Sequence, residues 1–235
     1  MNKEEFITSL KKYNINYNED MLLKLDNYYN MIVEYNSHTN ITAITNKEDA
    51  YLKHFFDSLT VSFAVDLNSQ KTLLDVGTGA GFPGIVLKIF FPHLKITLLD
   101  SNSKKTTFLN NVISALELTE IEVVTARCED YIKNNRSKYD VVVARAVKQL
   151  NILAELCIPF VKVSGLFVAM KGKNLEELKD GKKAINILNS KIESEYKLEL
   201  TDKEYTRNII VVKKLIENDS LYPRDYSKII KKPLK

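Results

Sequence analysis

The sequence predicts an α/β fold, a mostly parallel sheet with helices on both faces and a helical extension at the N-terminus. Three observations predict it. Short apolar runs alternate with helical stretches from residue 71 onward. The first 76 residues contain no glycine and no proline. Four of the seven glycines fall between positions 77 and 84, directly after the first apolar run. Alternating strands and helices imply parallel strands joined by crossovers.

The N-terminal part lacks the residues that punctuate a chain, so long helices are favoured. Phe6, Leu10 and Tyr13 recur at helical spacing. So do Met21, Leu22, Leu25, Tyr28, Tyr29, Ile32 and Val33. A third helix over roughly residues 47–65 carries Leu52, Phe55, Phe56, Leu59 and Phe63 as its apolar stripe. Residues 1–68 read as a helical cap, and 69–235 as the α/β domain with a basic tail.

Thr72–Val76, Lys95–Asp100, Ile121–Thr125, Tyr139–Ala144 and Gly165–Met170 read as five buried strands. Helices fit after the glycine cluster, over Asn102–Leu116, over Ile152–Phe160 and over residues 173–189. Two late strands fit Ile192–Leu200 and Tyr205–Lys213.

The 235 residues suffice for one such domain with an extension. At 45% apolar and 27% charged residues, a core is available and disorder is disfavoured. No apolar run reaches the ~18 residues that cross a bilayer. The first residues carry acids among their lysines and no apolar signal core. A cytoplasmic location and no membrane association are expected. Two cysteines, Cys128 and Cys157, make neither a disulfide framework nor a metal-ligand pattern, so no metal is expected.

The net charge of +4 is unevenly spread. Residues 1–70 hold six lysines against ten acids, whereas residues 201–235 hold nine Lys or Arg against five acids. Arg224, Lys228, Lys231, Lys232 and Lys235 carry that surplus. A basic tail either holds a phosphate backbone by counterion release or simply solubilises the end.

The glycine cluster runs Asp75-Val-Gly77-Thr-Gly79-Ala-Gly81-Phe-Pro83-Gly84. It follows a strand and opens a helix, the context a nucleotide-type loop requires. Glycine lets the backbone turn sharply and lets a ligand approach without a Cβ between. Asp100 ends the second strand, where an acid can accept from both hydroxyls of a ribose. Gly79 to Gly84 also match a dinucleotide pattern, whose helix N-terminus holds a pyrophosphate. The additional Gly77, and Asp75 before it, favour S-adenosylmethionine instead. An acid there would repel pyrophosphate and tolerate the cationic, zwitterionic methionine end.

With these residues in view, the sequence resembles the bacterial 16S ribosomal RNA guanine-N7 methyltransferases, the glucose-inhibited division protein B family. The resemblance spans most of the chain. It rests on Glu34 to Thr42, on His54-Phe-Phe-Asp57-Ser58-Leu59, and on the loop from Asp75 to Gly84. Leu99-Asp100-Ser101 with Lys104-Lys105 and Phe108-Leu109, then Ala126 to Asp130, continue it. Ala144-Arg145-Ala146, Lys171-Gly172, Tyr222-Pro223-Arg224 and Lys232-Pro233-Leu234 complete it. Tyr35, Cys128 and Asp130 depart mildly from the family's usual residues.

The resemblance implies a Rossmann-like S-adenosylmethionine-dependent methyltransferase fold with seven strands, the last antiparallel. It implies methylation of N7 of guanine 527 in the small ribosomal subunit's 16S rRNA, with S-adenosylhomocysteine as product. Its donor-binding pattern carries onto Gly77, Phe82, Cys128, Glu129 and Arg145; Asp100 is added by the spaced-acid argument. A monomer is expected.

Guanine N7 has a free lone pair, so no general base is expected and alignment should carry catalysis. Arg145, at the end of the fourth strand, is assigned the catalytic position. It could meet the flipped guanine, a phosphate, the methionine carboxylate, or only an ion-pair partner. Phe82 packs against the donor or in the core. Glu129 accepts from the adenine amino group or caps a helix. His54 and Asp57 share a helix face and could orient the loop. With Lys171, Arg207 and Arg224 they are the candidate substrate-binding set. Lys53, Lys104, Lys105 and Lys173 extend the possible RNA surface. The target base should be unstacked or flipped. A methyltransferase with a non-RNA acceptor, a nicotinamide-dependent oxidoreductase and a nucleic-acid-binding module with a dead cofactor site are the rival readings.

Overall fold

The strands are β1 (Thr72–Val76), β2 (Lys95–Asp100), β3 (Ile121–Thr125), β4 (Tyr139–Arg145), β5 (Val161–Lys171), β6 (Ser190–Glu199) and β7 (Thr206–Lys214). They form one seven-stranded sheet in the order β3-β2-β1-β4-β5-β7-β6. The first five run parallel, and β7 inserts antiparallel between β5 and β6. This computed structural model describes residues 1–145, 148–172, 178–200 and 205–235. Ala146, Lys173 and the first residues of the helix expected over 173–189 lie outside that set.

The helices are α1 (Lys3–Lys12), α2 (Glu19–Asn36), α3 (residues 47–64), α4 (Gly84–Phe90), α5 (Ser103–Ala115), α6 (Cys128–Tyr131), α7 (Leu150–Cys157), α8 (Leu178–Ile187) and α9 (Tyr226–Lys231). In the glycine-free N-terminal part, asparagine does the punctuating. Asn2, Asn18 and Asn46 each accept a backbone N–H in the first turn of α1, α2 and α3. Asn2 and Glu5 complete a capping box. The third helix is not uniform: Tyr51–Phe56 winds as a π-helix between α-helical turns. Such π segments often mark functional sites, and this one carries His54.

Two apolar layers cover the sheet. One contains Phe6, Leu25, Tyr28, Phe55 and Phe56 from the cap together with Ile85, Leu98, Leu109 and Val143. The other gathers Leu153, Cys157 and Phe160 with Ile185 and Ile229 against Val142 and Phe167. Burial of these side chains, each worth roughly 1.5–3 kcal/mol, fixes which face of each helix turns inward.

Most strand ends fall within two residues of expectation, but the start of the fifth strand does not. Gly165, read as the start of a strand, lies inside β5, which begins at Val161. The register against β4 shifts there, and a Cβ on Gly165 would come within 2.8 Å of the Asp140 carbonyl oxygen. The glycine permits a bulge rather than ending a strand.

The tail after β7 is folded back on the domain. Arg224 donates to Glu155 on α7, Asn151 donates to the Leu234 carbonyl at 3.0 Å, and Ile229 is fully buried. No helix among the described residues is long and apolar enough to cross a membrane.

Candidate active site

The strand order opens a crevice at the carboxyl ends of β1 and β4. From β1 the sheet grows outward through β2 and β3, and from β4 it grows the other way. Open α/β sheets hold their ligands at such a reversal.

The glycine loop fills the β1 side. Gly77, Gly79 and Gly81 have φ of +68°, +63° and +102°, a region side chains disfavour. The Gly77 N–H donates to the Leu99 carbonyl at 2.8 Å, and the Gly79 N–H donates to Asp100 Oδ2 at 2.9 Å. The loop is thereby stitched to the end of β2. Its underside is packed: a Cβ on Gly81 would strike Tyr28, Ile85 and Leu109. Its upper side is open: a Cβ on Gly77 would meet nothing within 4 Å.

Asp75 lies beneath the loop, fully buried. Its Oδ2 accepts from Thr78 Oγ1 at 2.7 Å and from the Gly84 N–H at 2.8 Å. Burial pushes its carboxyl up to about 6, against the pull of those hydrogen bonds. Its side chain braces the loop, and the hollow described next is lined without it. Asp75 thus supports the loop from below and does not line the hollow.

Above the loop is a hollow of about 260 Å³. Val76 and Gly77 form its floor; Leu99, Asp100 and Ser101 form one wall, and Ala126 to Glu129 another. Leu153 and Leu156 of α7, with Lys148 and Tyr226, close the far side. Asp100 is held ready, since Oδ2 takes the Gly79 N–H and Oδ1 takes the Asn102 N–H at 2.9 Å. Each oxygen keeps a lone pair for a further donor. Burial pushes the Cys128 thiol up to about 12, helped by Glu129 and Asp100, so it is not a nucleophile near neutral pH. Glu129 stands in the first turn of α6, 3.8 Å from Arg127.

A second cluster lies at the end of β4. Arg145 Nη1 donates to Asp57 Oδ2 at 3.0 Å and to the Lys53 carbonyl at 2.9 Å, and Nη2 lies 3.3 Å from His54 Nδ1. Asp57 is fully buried and also accepts from Arg207 of β7. The His54 ring stacks on Phe82 at 4.2 Å, and Thr42 Oγ1 sits 3.0 Å from its Nε2. Burial, then the Arg145 charge, pushes His54 down to about 3, so it is neutral. A neutral ring accepting at Nδ1 must carry its proton on Nε2, which donates to Thr42. The Arg145 guanidinium also faces the Phe82 ring at 5.0 Å.

Gly77, Asp100, Cys128 and Glu129 therefore meet at the hollow. Phe82 and Arg145 do not line it; Phe82 is buried between Tyr28 and His54, and Arg145 joins the second cluster. Lys171 and Arg207 are buried, not spread over an open basic face. Lys171 Nζ donates to the Lys148 carbonyl. Arg224 is fastened to Glu155. Among the basic residues singled out from the sequence, Lys104, Lys228, Lys231, Lys232 and Lys235 stay exposed. Sequence reasoning missed Lys148 and Tyr226, because neither belongs to the loop pattern.

Residues 21–210 match the family described as rRNA small subunit methyltransferase G, GidB. The chain belongs to this family. It is 45% identical over 227 residues to the ribosomal RNA small subunit methyltransferase G of Bacillus licheniformis, covering 95% of each chain. It is 43% identical to the protein of the same name from Lactobacillus acidophilus, covering 100% of each. The structure of M. jannaschii TYW2 in complex with AdoMet superposes at a TM-score of 0.58, 12% identity, over 75% of this chain and 81% of that one. That likeness shows the fold, the Rossmann-like methyltransferase architecture expected from the strand pattern.

Proposed function

We propose that this chain transfers a methyl group from S-adenosylmethionine to N7 of guanine 527 in 16S rRNA, in the cytoplasm. The observation that carries the reading is the hollow above Gly77, with a preset Asp100 on its wall. Its supports are the relatives' names, their full-length similarity and the ordered sequence blocks.

The residues present fit the donor. A glycine whose Cβ position is open leaves room for a ligand to lie on the loop. Asp100 would take the ribose hydroxyls. Glu129, with the backbone at Cys128, would read the adenine edge. Leu99, Leu153 and Leu156 supply apolar faces for a flat base. When bound, the donor supplies an electrophilic methyl on a sulfonium.

The protein's own task is placement. Asp57 and His54 hold the Arg145 cation at the end of β4. From there it would steady an anionic group of the donor or of the RNA beside the reacting base. No residue is asked to remove a proton, because N7 attacks with a free lone pair. Holding two reactants in line supplies much of the rate enhancement such transfers need.

Purified 30S subunits incubated with methyl-labelled donor and this protein test the reading. Label in N7-methylguanine at position 527, mapped by mass spectrometry, is expected. Label elsewhere in 16S rRNA rejects the site, and no label in rRNA rejects the substrate.

A further inference from the structure

The hollow has a wall that comes from the far end of the chain. Tyr226, the first residue of α9, lines it, and so does Lys148. The Lys148 ammonium lies 5.4 Å from the centre of the Tyr226 ring. Nothing in the glycine loop, the spaced acid or the HxxDSL block supplies an aromatic side chain to this hollow.

The segment bearing Tyr226 is fastened on both sides. Two residues earlier, Arg224 gives its backbone N–H, Nε and Nη2 to Glu155, at 3.0, 2.7 and 2.6 Å. Glu155 is fully buried and sits on α7 between Leu153 and Leu156, both of which face the hollow. Three residues later, Ile229 is fully buried. A carboxylate with no solvent contact gains little net stability from an ion pair. Three donors converging on it do fix where the next residues go.

We infer that Tyr226, with Lys148 against its ring, is the outer wall of the base pocket and packs on the flat heteroaromatic base of the donor. The inference rests on the donor reading above. Leu99, Leu153 and Leu156 offer the base an aliphatic surface, and Tyr226 adds a π-surface, which suits any purine. The segment after β7 is then a part of the cofactor site and not only a solubilising end. Glu155 and Arg224 are positioning residues that act through it.

Calorimetric titration of the full-length protein with S-adenosylhomocysteine, and separately with adenosine, tests this. Tyr226→Ala should weaken both ligands by the same factor, about 10-fold or more, because the lost contact is to the base. Tyr226→Phe should recover most of that loss. Tyr226→Leu, which keeps bulk for packing, should bind as weakly as the alanine variant, and Lys148→Met should weaken both ligands by a smaller factor. Thermal melts identify any variant that fails to fold, and the leucine and methionine variants then carry the test. Wild-type affinity in Tyr226→Leu overturns the inference, as does a loss for S-adenosylhomocysteine without one for adenosine. Absence of S-adenosylhomocysteine binding by the wild type would instead overturn the donor reading itself.

Discussion

Arg207 grips Asp57 with two hydrogen bonds, Nε to Oδ1 at 2.5 Å and Nη2 to Oδ2 at 2.8 Å. The two residues lie 150 positions apart, one on the third helix and one on β7. Because Asp57 also accepts from Arg145, a single buried carboxylate balances two guanidinium groups. It joins the cap to the carboxyl ends of β4 and to β7.

Removing that carboxylate strands two cations. Asp57→Asn should lower stability by about 3–5 kcal/mol, the usual cost of breaking a buried pair from one side. Urea denaturation followed by circular dichroism measures it. A midpoint equal to that of the wild type would show that the carboxylate does not hold the cap.

Gly77 and Gly81 should separate binding from folding. Gly77→Ala places a methyl in open space, so folding bears only the left-handed backbone cost, about 1–2 kcal/mol. The methyl should nonetheless block the hollow and weaken S-adenosylhomocysteine by more than 10-fold. Gly81→Ala meets Tyr28, Ile85 and Leu109; it should cost a further ~1–3 kcal/mol from overpacking. Equal melting temperatures for the two variants would contradict this division.

Asp100→Asn keeps an acceptor for the Gly79 N–H but loses the charge. Hydrogen bonds to charged groups contribute ~1.5–3 kcal/mol, so S-adenosylhomocysteine affinity should fall by about 10- to 100-fold. Isothermal titration reads this directly, and an unchanged constant would remove Asp100 from the site.

His54 gives stability a pH dependence of known sign. Its folded value, about 3, lies below the ordinary imidazole value of 6.5, so the unfolded chain binds more protons between the two. The favourable contribution is complete above 6.5 and declines as pH falls toward 3. His54→Asn, which keeps an acceptor near Arg145, should flatten the slope between pH 6.5 and 5. An identical slope in the variant would show that His54 titrates normally.

The central sheet was legible because β1, β2 and β4 are apolar runs buried on both faces. Thr72–Val76, Lys95–Asp100 and Ile121–Thr125 were read with their observed ends. Gly77 was marked by the loop pattern, Asp100 by the spaced acid, and Cys128 and Glu129 only by the family resemblance; all four line the hollow. What the sequence hides are pairings with no local rule. Nothing near Asp57 announces Arg207. Arg224 read as a free cation because Glu155 lies 69 residues away on a helix whose other residues are mostly apolar. Tyr226 carries no local signal, and only the fold brings it to the hollow.

Strand β6 is the outer edge of the sheet beside β7, and its register shifts between Ile192 and Ser194. Lys191, Glu193, Glu195, Lys197 and Glu199 all fall on odd positions and all are exposed. A foreign strand seeking to extend the array would have to desolvate this row of mixed charge. The edge therefore acts as a terminator, and the chain should resist sheet-to-sheet aggregation at high concentration.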